Sequence, residues 1–220
     1  MTMANVMITR LTAFDRLVHL GTAVSFLYAF LSGIGIAFPK MHWLLTVLGG
    51  GEFARWLHPW AGVVFSVFGL LMILAYIKDM FFDTDDIKWM VGIVHYMTNH
   101  EEKLPETRKY NAGQKMYFWV TVFWGTIVFL VSGLAMWFPD AFAAQVGPWL
   151  PGFGVRDLVL LATVVHEVMF IAAGAFFIVH IYMGTLGMPG TLSALATGKV
   201  TADWAKAHHP KWYREMVRKA

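Results

Sequence analysis

Four stretches of this chain are almost free of charge, and each is long enough to cross a lipid bilayer. The uncharged runs are 23 residues from Leu17 to Pro39, 22 from Trp56 to Ile77 and 24 from Met116 to Pro139; a fourth, from Leu158 to about Leu186, is interrupted only by Glu167. A hydrocarbon core ~30 Å thick is spanned by roughly 20 helical residues. Inside lipid a peptide group finds partners only within helices or closed barrels. The expected structure is therefore an all-α integral membrane four-helix bundle, with helices at about 17–39, 53–77, 116–138 and 157–185. Residues 1–220 form one domain in this reading, with a long loop at 78–115 and a basic tail at 191–220. Composition agrees: 58% of residues are apolar and 14% charged, against about 45–50% and about 25% in soluble domains. No apolar core of signal-peptide length precedes Arg16.

The cations are distributed unevenly. Two Lys or Arg precede the first span, two lie between the first and second, six between the second and third, one between the third and fourth, and six after the fourth. With both termini cytoplasmic, 14 of 17 lie inside (2 + 6 + 6), the orientation the positive-inside rule selects. The same asymmetry explains a basic chain without invoking nucleic acid. Trp43, Trp56, Trp60, Trp137 and Trp149 then fall at the outer boundary, where amphipathic rings settle. A surface helix is expected from Asp86 to about Asn99, with Ile87, Met90, Val91, Val94 and Met97 at helical spacing. It suits either lipid headgroups or a docking partner. In the tail, Pro210 divides two short helical pieces.

Two segments echo each other: Leu31-Ser-Gly leads to Phe38-Pro39, and Val131-Ser-Gly to Phe138-Pro139. Related hairpins are one explanation. Close packing at Ser-Gly and helix termination at Pro is the plainer one.

Of nine histidines, His42, His95, His100, His208 and His209 lie in loops or the tail. His19, His58, His166 and His180 lie in the spans, where an ionisable side chain is costly and signals function. The alternating direction of the helices sorts them by depth: His58 and His166 near the outer face, His19 and His180 near the cytoplasmic one. His166 and His180 are 14 residues apart, close to four helical turns, so they share a helix face about 21 Å apart along the axis. Two flat cofactors stacked through the bundle, each held by imidazoles from two helices, fit this pattern, and haem b is the natural candidate. Gly62 and Gly184, one turn beyond His58 and His180, supply a low helix surface. The residues alone leave open a proton or solute relay, or structural histidines. Structural zinc takes four ligands, and each depth offers two. With no cysteine, thiolate-held clusters and c-type haem are excluded. Glu167 beside His166 either orients a ligand or sits among headgroups, and Arg16, Arg55 and Arg156 suit haem propionates or headgroups alike.

Several segments carry a resemblance: Asp15-Arg16-Leu17-Val18-His19, Leu57-His58-Pro59, Lys109-Tyr110-Asn111-Ala112-Gly113-Gln114-Lys115-Met116, the His166/His180 spacing, and His208-His209-Pro210-Lys211-Trp212-Tyr213-Arg214-Glu215. Over nearly its whole length the chain resembles the gamma subunit of respiratory formate dehydrogenases, a multi-pass membrane cytochrome b of the bacterial inner membrane. The resemblance implies two bis-histidine haems, with His58 and His166 as axial ligands of the outer haem iron and His19 and His180 of the inner. It implies an iron-sulfur beta subunit and a molybdenum- or tungsten-containing catalytic alpha subunit as partners, a higher oligomer of that heterotrimer, and electron flow to menaquinone or ubiquinone. The quinone site it implies is at Asn111, Ala112, Gly113 and Gln114, with Lys115 nearby for proton delivery or reaching to headgroups. Read without the resemblance, this segment is a helix entry with Asn111 as N-cap. The nearest rival is the cytochrome b subunit of another quinone-linked oxidoreductase, such as nickel-iron hydrogenase. A proton-coupled transporter is the rival of a different class.

Overall fold

The computed structural model describes residues 6–98 and 100–219. Four helices among them are long and apolar enough to cross a membrane: Ala13–Ala37, Gly51–Asp79, Ala112–Trp137 and Val155–Gly187. All four begin a few residues before the corresponding uncharged run, because polar residues serve as their caps and first turns. At the first, Thr12 and Asp15 exchange hydrogen bonds, with the Thr12 N–H donating to Asp15 Oδ2 at 2.8 Å and the Asp15 N–H to Thr12 Oγ1 at 3.1 Å. At the third, Asn111 and Gln114 form the same reciprocal box. Charge counting ends a span where a capping carboxylate or amide in fact starts one. The third span also contains a wide π-helical segment, Phe118–Trp124, and the fourth ends in another, Met183–Gly187.

The chain divides into two compact units. One comprises Val18–Ile73 and Val120–Ala175 and consists mostly of the middle portions of the four spans. Much of its interior is small residues: Ser25, Ser32, Ala54, Ala61, Ser66, Gly69, Thr126, Ser132, Ala135, Ala162 and Ala173 are buried, alongside larger ones such as Phe65, Met72 and Met169. Val24, Val67, Leu160, Val168 and Ile171 point outward. This inverted pattern suits helices that meet by close approach rather than by expelling water from large side chains. A Cβ on Gly69 would collide with Thr126, one on Gly21 with the Phe68 ring, and one on Gly174 with the Phe30 ring. Helix contacts thus link first to second, second to third and fourth to first. Trp43, Trp56, Trp60 and Trp149 are exposed, and Trp60 meets Trp137 edge to face at 5.1 Å between ring centres.

The other unit, the ribbon unit, comprises the chain through Leu17, Leu74–Trp119 and Phe176–Ala220. A two-stranded antiparallel ribbon pairs β1 (Met7–Thr9) with β2 (Lys199–Thr201). Short helices at Ala202–His208 and Pro210–Lys219 follow. Trp89, Tyr96, Met188, Val200, Trp204 and Trp212 form its core, a conventional aromatic and aliphatic one. The surface segment is two helices rather than one, Thr84–Val91 and Ile93–Met97, while Asn99 lies outside the described residues. The break falls at Gly92, where a Cβ would sit 2.5 Å from Leu104 Cδ2. Trp89 and Tyr96 turn into the core and Ile87, Met90, Val91, Val94 and Met97 outward.

Arg10 is buried in this unit and, among the described residues, has no carboxylate partner. Its guanidinium lies 4.8 Å from the Trp204 ring centre and 5.1 Å from that of Trp212, close enough for the ring faces to attract the cation. Burial lowers its pKa to about 10, which leaves it charged at neutral pH. One Nη2 proton goes to the Lys109 carbonyl at 2.8 Å, and Nη2 also lies 3.0 Å from His209 Nε2. An arginine can only donate, so Nε2 accepts, and the His209 proton sits on Nδ1, facing the Arg108 carbonyl at 2.7 Å. Burial first, and the Arg10 charge second, hold His209 well below the ordinary histidine pKa. The unfolded chain therefore binds this proton more readily than the folded one. Stability from a neutral His209 is full above about pH 6.5, the unfolded value, and declines as pH falls below it. Thermal unfolding in detergent at about pH 7.5 and about pH 5 should show this loss, and His209→Gln should flatten the dependence. An equal slope in both proteins would assign it elsewhere.

Candidate functional site

His58 and His166 converge within the first unit, their ring centres 6.5 Å apart and their planes inclined at 56°. Each ring is tied from behind by a serine. Ser32 Oγ lies 2.8 Å from His58 Nδ1, and Ser132 Oγ lies 2.8 Å from His166 Nδ1. The serine protons are already committed. Ser32 donates to the Tyr28 carbonyl at 2.7 Å and Ser132 to the Val128 carbonyl at 2.5 Å, in both cases one helical turn back. Each Oγ must therefore accept from the imidazole, which puts the ring proton on Nδ1 and leaves the lone pair on Nε2. Both rings are thereby set as metal ligands.

They border a cavity of about 420 Å³, within the range of roughly 300–1,000 Å³ typical of cofactor sites. Its lining is mostly apolar, including Phe30, Phe65, Phe129, Phe170 and Trp137, with the exposed Glu167 also bordering it. Gly33, Gly62 and Gly133 are part of the wall. No atom lies within 4 Å of where a Cβ on Gly62 or Gly133 would be, so methyl groups there would project into open space. Phe129 meets His166 edge-on at 4.9 Å between centres.

These residues fit a haem. Two imidazoles holding one metal from opposite sides at about 2.0 Å each have ring centres roughly 6–6.5 Å apart, matching the separation seen here. The flat glycine surfaces and aromatic walls suit a planar macrocycle, and neutral Nε2 donors suit iron.

The remaining expected site residues lie as follows. His19 is half-buried on the first span, in the same unit as His58. His180 belongs to the ribbon unit, half-buried, its ring stacked on Tyr117 at 4.6 Å and 20°. Gly184, one turn on, has nothing within 4 Å of a built Cβ. Asn111 and Ala112 are buried at 2% and 0% exposure. Asn111 Oδ1 caps the helix by accepting from the Gln114 N–H at 2.9 Å, and Nδ2 donates to Tyr96 Oη at 3.3 Å. A Cβ on Gly113 would touch Trp89. Lys115 does not reach outward: it is buried, with Nζ 2.5 Å from Asp86 Oδ2 and 3.0 Å from the Phe81 carbonyl. Arg16 donates to the Leu195 and Ala196 carbonyls at 2.8 and 2.6 Å, Arg55 bonds Gly51 O at 3.2 Å, and Arg156 is exposed.

Side-chain chemistry alone does not single out Ser32 and Ser132. Their signal is the Leu31-Ser-Gly and Val131-Ser-Gly echo, in which serine holds a histidine and glycine forms the cavity wall.

Four membrane-crossing helices around paired, metal-ready imidazoles define a membrane cytochrome of the b type. The sequence matches the family described as prokaryotic cytochrome b561 over residues 10–198, and this chain belongs to that family, whose bound group is haem b. It is 38% identical over 209 residues, covering 95% of this chain and 93% of the relative, to the formate dehydrogenase cytochrome b556(fdo) subunit of Escherichia coli K12. Against the nitrate-inducible formate dehydrogenase cytochrome b556(Fdn) subunit of the same strain the identity is 33% over 212 residues, covering 96% and 93%. A formate dehydrogenase cytochrome b556 subunit of Haemophilus influenzae is 31% identical over 205 residues, covering 92% and 80%. The chain is a multi-pass protein of the bacterial inner membrane.

Proposed function

We propose that this chain is the membrane cytochrome b subunit of a formate dehydrogenase, carrying electrons from an iron-sulfur partner to quinone. The observation that carries the proposal is the His58–His166 pair, held by matched serines over a glycine-walled cavity, in a chain whose relatives are named as such subunits. Haem held here supplies reversible one-electron transfer. His58 and His166 ligate it, Ser32 and Ser132 orient them, and the apolar wall excludes water. His19 and His180 are assigned to a second haem on the sequence argument of depth and spacing.

Quinone reduction is assigned to Asn111–Gln114. The reciprocal cap uses Asn111 Oδ1 and Gln114 Oε1 as acceptors, which turns both side-chain amides so that their NH2 groups remain donors. Asn111 spends one of its two amide protons on Tyr96; at 2% exposure the other reaches a quinone carbonyl only if the surrounding side chains part. With the cation-rich face cytoplasmic, protons for the quinol come from that side and turnover builds a membrane potential. With no cysteine in the chain, iron-sulfur clusters would belong to a partner, and formate oxidation is assigned to a molybdenum- or tungsten-containing subunit on the resemblance alone.

A dithionite-reduced minus oxidised spectrum of the purified complex tests this reading. It should show b-type bands at two haems per chain and co-purifying formate-oxidising subunits. A colourless preparation would exclude it.

A further inference from the structure

Resting on the haem reading of the same cavity, we infer that Ser32 and Ser132 are positioning residues that set the donor strength of the two ligands. The serines occupy corresponding places in the two echoed segments, donate one turn back, and approach their rings at the same 2.8 Å. A ligating imidazole whose free N–H is given to an acceptor is oriented by that bond and becomes a stronger donor to the metal. A stronger donor favours ferric over ferrous iron, so each bond lowers the reduction potential. Serine makes this a moderate effect: its oxygen is neutral, and its own proton is already spent on the backbone.

Among the described residues, His58 Nδ1 donates to Ser32 Oγ and His166 Nδ1 to Ser132 Oγ, and these two bonds are equivalent in length and place. Removing Ser132 strands an N–H in an apolar wall and leaves the ring free to turn about its side-chain bonds.

The test is a redox titration of the b-type absorbance in the intact complex, with resonance Raman or electron paramagnetic resonance to report ligand strength. Ser132→Ala should raise the midpoint potential of one haem and leave the other unchanged, and haem affinity should fall by about 10–100-fold. Ser32→Ala should shift the same haem in the same direction, and Ser132→Thr, which keeps the hydroxyl, should lie near the unsubstituted protein. If Ser132→Ala loses the haem altogether, Ser132→Cys, a weaker acceptor of similar size, should retain it at a raised potential. Unchanged potential and ligand spectra in Ser132→Ala with full haem content would overturn the inference while leaving the haem assignment intact. Retention of both haems by His166→Ala would instead overturn the haem assignment itself.

Discussion

Replacing His180 by alanine is expected to remove one haem from the proposed pair and abolish electron delivery to quinone. The purified complex should carry a single b-type haem per chain. Quinone reduction by formate should fall to background, while formate reduction of an artificial dye, which draws electrons from the catalytic partner, continues. The specificity follows from position. His180 lies 14 residues beyond His166 in the sequence and does not border the serine-braced cavity, so its loss leaves that cavity untouched. His166→Ala should remove the other haem. Two haems with normal spectra in His180→Ala would remove this histidine from the ligand set.

The second large effect concerns the ion pair at the start of the third span. Lys115 and Asp86 are buried side chains joined at 2.5 Å, 7% and 9% exposed. Lys115→Met would strand the Asp86 carboxylate, whose remaining bond, from the Asp83 N–H at 2.9 Å, cannot neutralise it. Breaking such a pair costs about 3–5 kcal/mol. The double variant Lys115→Met with Asp86→Leu replaces both charges by apolar groups and should recover most of that loss. Unfolding in detergent followed by tryptophan fluorescence reads both, since Trp89 belongs to the adjoining core. A Lys115→Met protein as stable as the parent would mean that water reaches the pair.

The spans were legible because lipid imposes a simple rule on composition, and the four histidines stood out because ionisable groups within it are rare. Alternating helix direction is what assigns them to depths. Other features depend on contacts that local patterns do not encode. Lys115 looked like a side chain bound for headgroups, and its partner lies 29 residues away across a loop. The break at Gly92 depends on the approach of Leu104. The serine echo was visible, but its meaning required knowing which helices face each other: Ser32 meets His58 and Ser132 meets His166, 26 and 34 residues on. Asn111 shows how one geometry serves two readings, since the cap that explains its burial also aims its amide.

The ribbon and the Arg10–His209 contact bear on when this protein becomes complete during synthesis. Arg10 and His209 are 199 residues apart, and Thr9 pairs with Lys199. At about 5–20 residues per second, translation separates such partners by roughly 10–40 s. Throughout that interval the first strand has no edge to pair with, and Arg10 has neither the Trp204 and Trp212 rings nor His209 beside it. The spans can enter the bilayer one after another as they emerge, but the ribbon unit can close only after the last of them is made. Assembly therefore has a built-in order, in which the aromatic cage around Arg10 marks the end of the process.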